Sequence, residues 1–207
     1  MSLWAIVPVK PLRRGKSRLS GVLSEEERTF LNYTMLGNTM KALSEAPSVA
    51  QTLVISRDPA ALALARNFGA RTVMEDSNSE LNQALQRATL VSMVGGANRT
   101  LILPADLPLI TGERIEALIQ EAQKPPEIVI APDRHRQGTN ALLVDPGGLI
   151  GYFFGPESFQ KHCEQAESKG AKVTIFEDTQ FALDLDLPED LDLLQQMESV
   201  PVQLEPR

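Results

Sequence analysis

Asp106 stands where a carboxylate is well placed to do chemistry. The apolar segment Leu101–Leu103 has the pattern of a buried strand, and Asp106 follows it closely, with Pro108 just behind. Open α/β sheets bind their ligands at the C-terminal ends of the strands. Because Mg²⁺ prefers carboxylate oxygens combined with phosphate oxygens and water, the pattern predicts a magnesium ligand. The alternative is a residue that only caps a turn before the proline.

A second acidic pair, Asp184 and Asp186, closes another apolar stretch far downstream. In an extended segment, residues two apart point to the same side. Two carboxylates on one side repel each other unless a cation lies between them, so the pair favours a shared metal ion. The alternative for Asp186 is to cap the helix predicted to begin near Pro188, a role that is compatible with metal binding through its second oxygen.

Five basic residues lie within nine positions directly after the first predicted strand. They are Lys10, Arg13, Arg14, Lys16 and Arg18. In a doubly wound sheet this loop lies at the ligand-binding edge, and several cations beside a helix N-terminus can hold a polyphosphate. The loop has no P-loop signature, so a solvated basic turn is the alternative. Taken with the aspartates, the loop suggests a site for a metal ion and phosphates.

Two further loops combine small residues with free backbone amides, which suit a phosphate or a carboxylate. They are Gly138-Thr139-Asn140 and the segment Phe154–Phe159. In the second loop Gly155 and Ser158 flank a predicted helix start, and helix starts bind anions. The alternative for both loops is a turn that only joins two elements. Asn82 lies on a predicted helix face, where an asparagine is usually structural.

The elements that must position these residues alternate between strands and helices. The predicted strands are 4–9, 52–56, 71–74, 100–103, 127–131, 138–144 and 172–176, with a short extended piece over 181–185. One predicted helix begins after a capping box of Ser24 and Glu27, and a second runs from Asp58-Pro59 to Gly69. Further helices are predicted over 80–94, 112–123 and 157–169, and the last begins at Pro188. We expect residues Tyr33, Leu36, Met40 and Leu43 to share one face of the first helix.

This alternation predicts an α/β fold with a mostly parallel sheet and helices on both faces. The closely spaced strands near 128–144 break the alternation and predict a small antiparallel element. Pro8 predicts that the first strand has an irregular end or lies at a sheet edge.

The composition excludes several classes of protein. The chain has 207 residues, a net charge of −7 and a pI near 5.0, which argues against a non-specific nucleic-acid binder. The single cysteine, Cys163, excludes an internal disulfide framework and a zinc site of several thiolates. The two histidines, His135 and His162, have no metal-binding spacing. We find no secretion signal and no apolar run long enough for a membrane span, so we expect a cytoplasmic protein without membrane partners.

Seven segments, in order along the chain, resemble the signature motifs of one protein family. They are Trp4–Lys10 with Gly15–Leu19, Leu53–Asp58 with Ala65–Val73, Leu81–Asn82 with Ala84–Leu85, Ala105–Pro108, Gly138–Leu142, Phe154–Phe159 and Leu183–Leu191. From residue 3 to near residue 195 the chain is similar to the CofC/FbiD guanylyltransferases of deazaflavin coenzyme F-420 biosynthesis. That family has the Rossmann-like nucleotidyltransferase fold. The resemblance implies one nucleotidyltransferase domain, which we place over 1–197. The residues of the segment 198–207 themselves predict a weakly ordered tail.

The resemblance also implies a reaction and the residues that carry it. GTP and a phosphorylated three-carbon acid would give a guanylyl-linked product and pyrophosphate, with phosphoenolpyruvate as the expected acid and 2-phospho-L-lactate or 3-phosphoglycerate as alternatives. The implied residues are Thr139, Gly155 and Ser158 for the acid, Lys10, Lys16, Arg18 and Asn82 for the nucleotide, Asp106, Asp184 and Asp186 for Mg²⁺, and Lys16 with Asp106 in catalysis. The sequence departs from the family pattern at Glu80 and Gln137, where glycine is expected.

The chemistry agrees with this assignment. The attacking phosphate is already anionic near neutral pH and needs no general base, which fits a chain with no obvious catalytic dyad. Such a transfer depends on alignment and on charge neutralisation at the α-phosphate. Transfer to another acceptor, such as a sugar phosphate or the molybdenum cofactor, and a non-catalytic nucleotide-binding regulator are the alternatives. A homodimer is left open as the assembly state.

Overall fold

The computed structural model describes residues 2–75 and 80–199, and within them a single sheet carries the helices. Its strands are β1 (Leu3–Val9), β2 (Val49–Ser56), β3 (Arg71–Met74), β4 (Arg99–Ile102), β5 (Glu127–Pro132), β6 (Thr139–Asp145) and β7 (Lys172–Ile175). The helices are α1 (Glu25–Glu45), α2 (Pro59–Asn67), α3 (Leu81–Val94), α4 (Gly112–Gln120), α5 (Ser158–Ser168), α6 (Thr179–Ala182) and α7 (Pro188–Ser199).

The strand order confirms the predicted α/β fold with a small antiparallel element. The sheet runs β3-β2-β1-β4-β6-β5-β7, and β6 is antiparallel to both of its neighbours while the other pairs are parallel. The order along the sheet reverses at β1, because β2 and β4 lie on opposite sides of it. In open α/β sheets this switch point is where ligands bind.

Helices cover both faces of the sheet, and the alternation along β1 shows why. Leu3, Ala5 and Val7 point into one buried cluster, which also holds residues of α1, α2 and α4. Trp4 and Ile6 point into a second cluster, which holds residues of α3 and α5. Strands buried on both faces need apolar residues at nearly every position, and β1 has them.

Local signals at helix starts behave as the sequence predicts. Ser24 and Glu27 form the capping box of α1, and Asp58 caps α2 by accepting a hydrogen bond from the Ala60 N–H. The expected apolar face of α1 is only partly correct, since Tyr33 is 47% exposed. All fully buried residues of α1 lie in its C-terminal half, from Met35 onward.

Two predictions about local structure were wrong. The segment 181–185 is not one extended piece, because Phe181 lies in the short helix α6, which Asp178 caps. The first strand is central and pairs with β2 in one register from Trp4 to Val9, although Pro8 was expected to disturb it. Pairing of β1 with β4 stops at Ile6, so the proline lies where the strand has no neighbour on the β4 side and needs no N–H there.

The predicted end of the domain, at residue 197, lies close to the end of the last helix. Helix α7 continues to Ser199, two residues past the predicted boundary at 197. The rest of the predicted tail, 200–207, lies outside the described residues. Within the described part of the chain, none of the helices combines the length and the apolar character that a bilayer span requires.

Candidate active site

The predicted site residues meet at one edge of the sheet, and the antiparallel strand β6 explains how. The carboxyl ends of β1 and β4 reach this edge, and β6, which runs the other way, begins there. Ile102 near the end of β4 pairs with Leu142 in β6, so the chain that leads to Asp106 lies beside the first residues of β6. The Leu185 N–H donates a hydrogen bond to the Asp106 carbonyl at 3.0 Å, which ties the downstream acidic segment to the same place.

Lys16 joins two of the three predicted aspartates. Its Nζ lies 2.8 Å from Asp186 Oδ1 and 3.4 Å from Asp106 Oδ2, while its side chain is only 6% exposed. Burial alone would lower the pKa of this lysine, but the attraction of the two carboxylates outweighs burial and raises it. The ammonium group therefore stays charged at the centre of the site.

The aspartates respond in opposite ways to this arrangement. Burial would raise the pKa of Asp186, but Lys16, with Lys10 and Arg18 behind it, holds that pKa below the ordinary value. Burial raises the pKa of Asp184, and the negative charge of Asp106 raises it further, against a hydrogen bond from Asn140. Asp184 thus carries negative charge that its surroundings do not balance, which is the condition that favours a bound cation.

The donor set fits a magnesium ion that enters with phosphates. Across residues 2–75 and 80–199, no three acidic, histidine or cysteine side chains are arranged to hold a metal by themselves. Mg²⁺ usually takes only one or two carboxylates and completes its shell with substrate phosphates and water. The side chains of Asp106 and Asp186 are 32% and 43% exposed and so remain accessible. Ligation by all three aspartates stays a prediction.

The basic loop is held firmly rather than solvated throughout. The Leu12 N–H donates to Asp58 Oδ2 at 2.8 Å, and the Leu12 carbonyl accepts from Asn32 Nδ2 at 2.7 Å. A Cβ on Gly15 would lie 2.6 Å from the same Asn32 nitrogen, so any other residue there would have to displace this amide. Lys16 follows in the left-handed region, at φ 56°. These contacts aim its side chain inward, at the aspartates.

The three residues predicted to hold the acid lie together beside β6. Thr139 is the first residue of β6 and Ser158 is the first of α5, and both are buried. Gly155 has φ 131°, a backbone conformation that favours glycine. The Phe159 N–H donates to the Gln137 carbonyl at 3.2 Å, which holds the start of α5 against the loop before Thr139.

Asn82 has a structural partner in this fold. Its Oδ1 accepts from the Phe154 N–H at 2.8 Å, and its Nδ2 donates to the Phe154 carbonyl at 3.1 Å. The side chain thereby holds the loop that contains Gly155. Contact with the guanine base stays a prediction, and one N–H of the amide remains for it.

Sequence reasoning missed the residue that holds Asp186. Asp190 is 3% exposed, and its Oδ2 accepts from the N–H groups of Asp186 and Leu187 at 2.8 and 2.6 Å. Its other oxygen pairs with Arg134 in the loop between β5 and β6, and the Arg134 N–H donates to the Ala182 carbonyl. The capping-box rule did not point to it, because the residue before α7 is Leu187 and the residue three after the predicted cap, Asp186, is Glu189.

Comparisons with known proteins agree with this geometry. The family described as "Guanylyl transferase CofC like" matches residues 3–197. A relative from Rubrobacter xylanophilus, named phosphoenolpyruvate guanylyltransferase, is 43% identical over 207 residues, which is 100% of this chain and 99% of that protein. A relative from Methanocaldococcus infernus, named 2-phospho-L-lactate guanylyltransferase, is 37% identical over 90% of this chain and 81% of its own length.

A solved structure confirms the fold. The crystal structure of a proposed nucleotide-diphospho-sugar transferase from Desulfovibrio desulfuricans superimposes with a TM-score of 0.79 at 16% identity, covering 98% of this chain and 90% of that one. With the family match over nearly the whole chain and the relatives above, the comparisons establish that this chain belongs to the CofC-like guanylyl transferase family and is a nucleotidyltransferase.

Proposed function

We propose that this enzyme transfers GMP from GTP to phosphoenolpyruvate and releases pyrophosphate, in coenzyme F-420 biosynthesis. The observation that carries the proposal is the convergence of Lys16 with three aspartates at the sheet switch point. Thr139, which we propose to hold the acid with Gly155 and Ser158, directly precedes Asn140, the hydrogen-bond donor to Asp184. The names of the relatives support the choice of acceptor.

The chemistry needs little beyond positioning. An oxygen of the acceptor's phosphate attacks the α-phosphorus of GTP, the bond from that phosphorus to the β-phosphate oxygen breaks, and pyrophosphate leaves with the electron pair. The attacking oxygen is already an anion, so no side chain must remove a proton. Catalysis of such a transfer consists mainly of alignment and charge neutralisation.

The basic loop supplies fixed positive charge for the nucleotide phosphates. Lys10, Lys16 and Arg18 all act electrostatically on Asp186, so they share one region of the edge. Lys16 is buried and held in place, so it can neutralise charge on the phosphates with little rearrangement.

Asp106, Asp184 and Asp186 would hold the magnesium ion. When bound, Mg²⁺ supplies neutralisation of the phosphate charge and a template for the two substrates. The carboxylates themselves repel the anionic substrates, so they are useful there only as ligands of a cation. A cytoplasmic location, the absence of nucleic-acid partners and a homodimeric assembly stay predictions.

We expect one acid to give product with GTP. The test is mass spectrometry of parallel reactions that contain GTP, Mg²⁺ and either phosphoenolpyruvate, 2-phospho-L-lactate or 3-phosphoglycerate. The expected result is a guanylylated adduct with phosphoenolpyruvate and equimolar pyrophosphate. Product only with 2-phospho-L-lactate would instead match the Methanocaldococcus relative. GTP binding without product from any acid, a sugar phosphate or a molybdenum-cofactor precursor would point to a non-catalytic regulator.

The substitutions Asp106→Asn and Asp184→Asn should each lower turnover by about 10²-fold or more, the scale of losing one strong electrostatic contact. Steady-state pyrophosphate release measures this loss. Asp192→Asn is the matched control, because that carboxylate is exposed on α7. Turnover close to wild type in both site variants would contradict the roles assigned to these two residues.

Asp184→Asn should also make the ligand-free protein more stable at pH 7. The pKa of Asp184 is raised in the folded state, so its ionised form disfavours folding at a pH above that value. The neutral amide removes this cost and keeps the hydrogen bond from Asn140. Urea unfolding without Mg²⁺ should show the gain at pH 7 and lose it below the ordinary aspartate pKa of 3.8. A variant less stable than wild type at pH 7 would mean that Asp184 serves structure.

Asp190→Asn should reduce both stability and turnover. It removes the charge that pairs with Arg134 and weakens the hold on the Asp186 backbone, and breaking a largely buried pair costs about 3 kcal/mol. Glu189→Gln is the control, since Glu189 is the exposed neighbour on the same helix. Urea unfolding and turnover should be measured on both variants. Lower stability with full turnover would show that Asp190 holds only α7.

A further inference from the structure

His162 is fully buried in α5, and both of its ring nitrogens have partners. Nδ1 lies 3.0 Å from Thr139 Oγ1, and Nε2 lies 3.0 Å from the Phe153 backbone nitrogen. The ring of Phe154 packs edge-on against the imidazole, at 5.0 Å between centroids. A buried histidine could be core packing alone, but these two contacts join Thr139, which we assign to the acid, to Phe153, which lies two residues before Gly155.

The partners fix where the proton of His162 lies. The Phe153 N–H can only donate, so Nε2 accepts and carries no proton. Burial lowers the pKa of His162 to about 4, so the ring is neutral near pH 7. A neutral imidazole has one N–H, which must therefore be on Nδ1 and must donate to Thr139 Oγ1.

The consequence falls on Thr139. A hydroxyl has one proton to donate and can accept bonds through its lone pairs. Because His162 already donates to Oγ1, the hydroxyl proton of Thr139 must point to a different acceptor. Among the described residues, His162 is the only group that hydrogen-bonds this hydroxyl. Its proton is therefore available to a ligand at the edge where β6 begins.

We propose that His162 is a positioning residue that fixes the Thr139 hydroxyl as a hydrogen-bond donor to an oxyanion of the acceptor acid. The inference rests on the proposed function, and the oxyanion is a carboxylate or phosphate oxygen of that acid. A hydroxyl held in the opposite sense would present lone pairs to the anion and repel it. The imidazole acts through Thr139 and does not itself touch the substrate.

The same ring also helps to hold the loop that contains Gly155. His162 fixes the backbone of Phe153, and Asn82 fixes the next residue, Phe154, with two hydrogen bonds. Gly155 follows directly. His162 therefore sets both the direction of the Thr139 hydroxyl and part of the backbone path of the loop that contains Gly155. Variants are needed that remove one of these two effects and keep the other.

Two amide substitutions make this separation. In His162→Asn the side-chain NH₂ replaces Nδ1–H and can still donate to Thr139, while the contact with Phe153 is lost. In His162→Gln the amide reaches the position of Nε2 and can still accept from Phe153, while the donation to Thr139 is lost. We expect His162→Gln to raise the KM for phosphoenolpyruvate about tenfold, the scale of one hydrogen bond to a charged group, and to leave the KM for GTP and kcat unchanged. His162→Asn should change the KM for phosphoenolpyruvate by less than about threefold, because it keeps the hydrogen bond to Thr139.

A double-mutant cycle with Thr139→Val supplies the decisive readout. If His162 acts through the hydroxyl, Thr139→Val alone raises the acceptor KM and His162→Gln adds nothing further in that background. In Thr139→Ser, which keeps a hydroxyl, His162→Gln should again raise the KM about tenfold. Urea unfolding confirms that each variant is folded. If a His162 variant does not fold, the two Thr139 variants still test the inference, because they keep His162 intact. Thr139→Val must then raise the KM for the acceptor acid, and Thr139→Ser must not.

The inference is overturned if losses from His162→Gln and Thr139→Val multiply, if the KM for GTP rises in step with that for the acid, or if Thr139→Val leaves the acceptor KM unchanged. Failure of the proposed function looks different. In that case the wild-type enzyme forms no guanylylated product with phosphoenolpyruvate, whatever the variants do.

Discussion

The repulsion among three carboxylates at one sheet edge is the constraint on which the rest of this structure depends. Asp106, Asp184 and Asp186 are brought together by elements far apart in the sequence, and Lys16 offsets only part of their charge. A fold selected for stability alone would separate such groups or replace one of them. Retaining them makes sense where a cation and anionic substrates complete the balance.

The surrounding structure resists this repulsion with contacts that lie outside the ligand-binding edge. The segment that carries Asp184 and Asp186 is irregular, so no sheet ladder holds it. It is fixed instead by the Leu185 hydrogen bond to Asp106 and by the buried Asp190, which Arg134 pairs. The loop between β5 and β6, which provides Arg134, exists because β6 reverses direction. The same reversal brings Thr139 to the edge, so one topological feature places both Arg134, which supports the acidic segment, and a residue that we propose to hold the acid.

The sequence predicts the parts of this arrangement that follow from local rules. Asp106 is found because it ends an apolar strand, and Lys16 because it lies in the loop after β1; the position of a strand end in an α/β sheet follows from the fold class. The seven ordered motifs identify the family. Helix caps at Ser24 and Asp58 also follow from nearest neighbours in the chain.

The parts that could not be predicted depend on pairs distant in sequence. Asn82 and Phe154 are 72 residues apart, and Arg134 and Asp190 are 56 apart. No periodicity or spacing links such residues. The sequence pattern favoured an extended segment over 181–185, but Phe181 lies in the short helix α6. Asp178 caps this helix by accepting hydrogen bonds from the N–H groups of Gln180 and Phe181. His162 was set aside for lacking metal-ligand spacing, whereas its partners are Thr139 and the Phe153 backbone, which are 23 and 9 residues away in the chain.

The site therefore has two halves that solve different electrostatic problems. The half with Lys16 and the aspartates uses full charges, which suit the high charge of nucleotide phosphates but select weakly among anions. The half with Thr139, Ser158 and Gly155 carries no side-chain charge, and within it Thr139 and Ser158 are buried while Gly155 is exposed. A buried donor in a fixed direction discriminates among ligands more sharply, because a mismatched ligand leaves it unpaired. Had His162 been charged, it would have attracted any anion to this half as well. The depressed pKa of His162 keeps the imidazole uncharged, so in the proposed function recognition of the acid by this half depends on hydrogen-bond direction rather than on a positive charge.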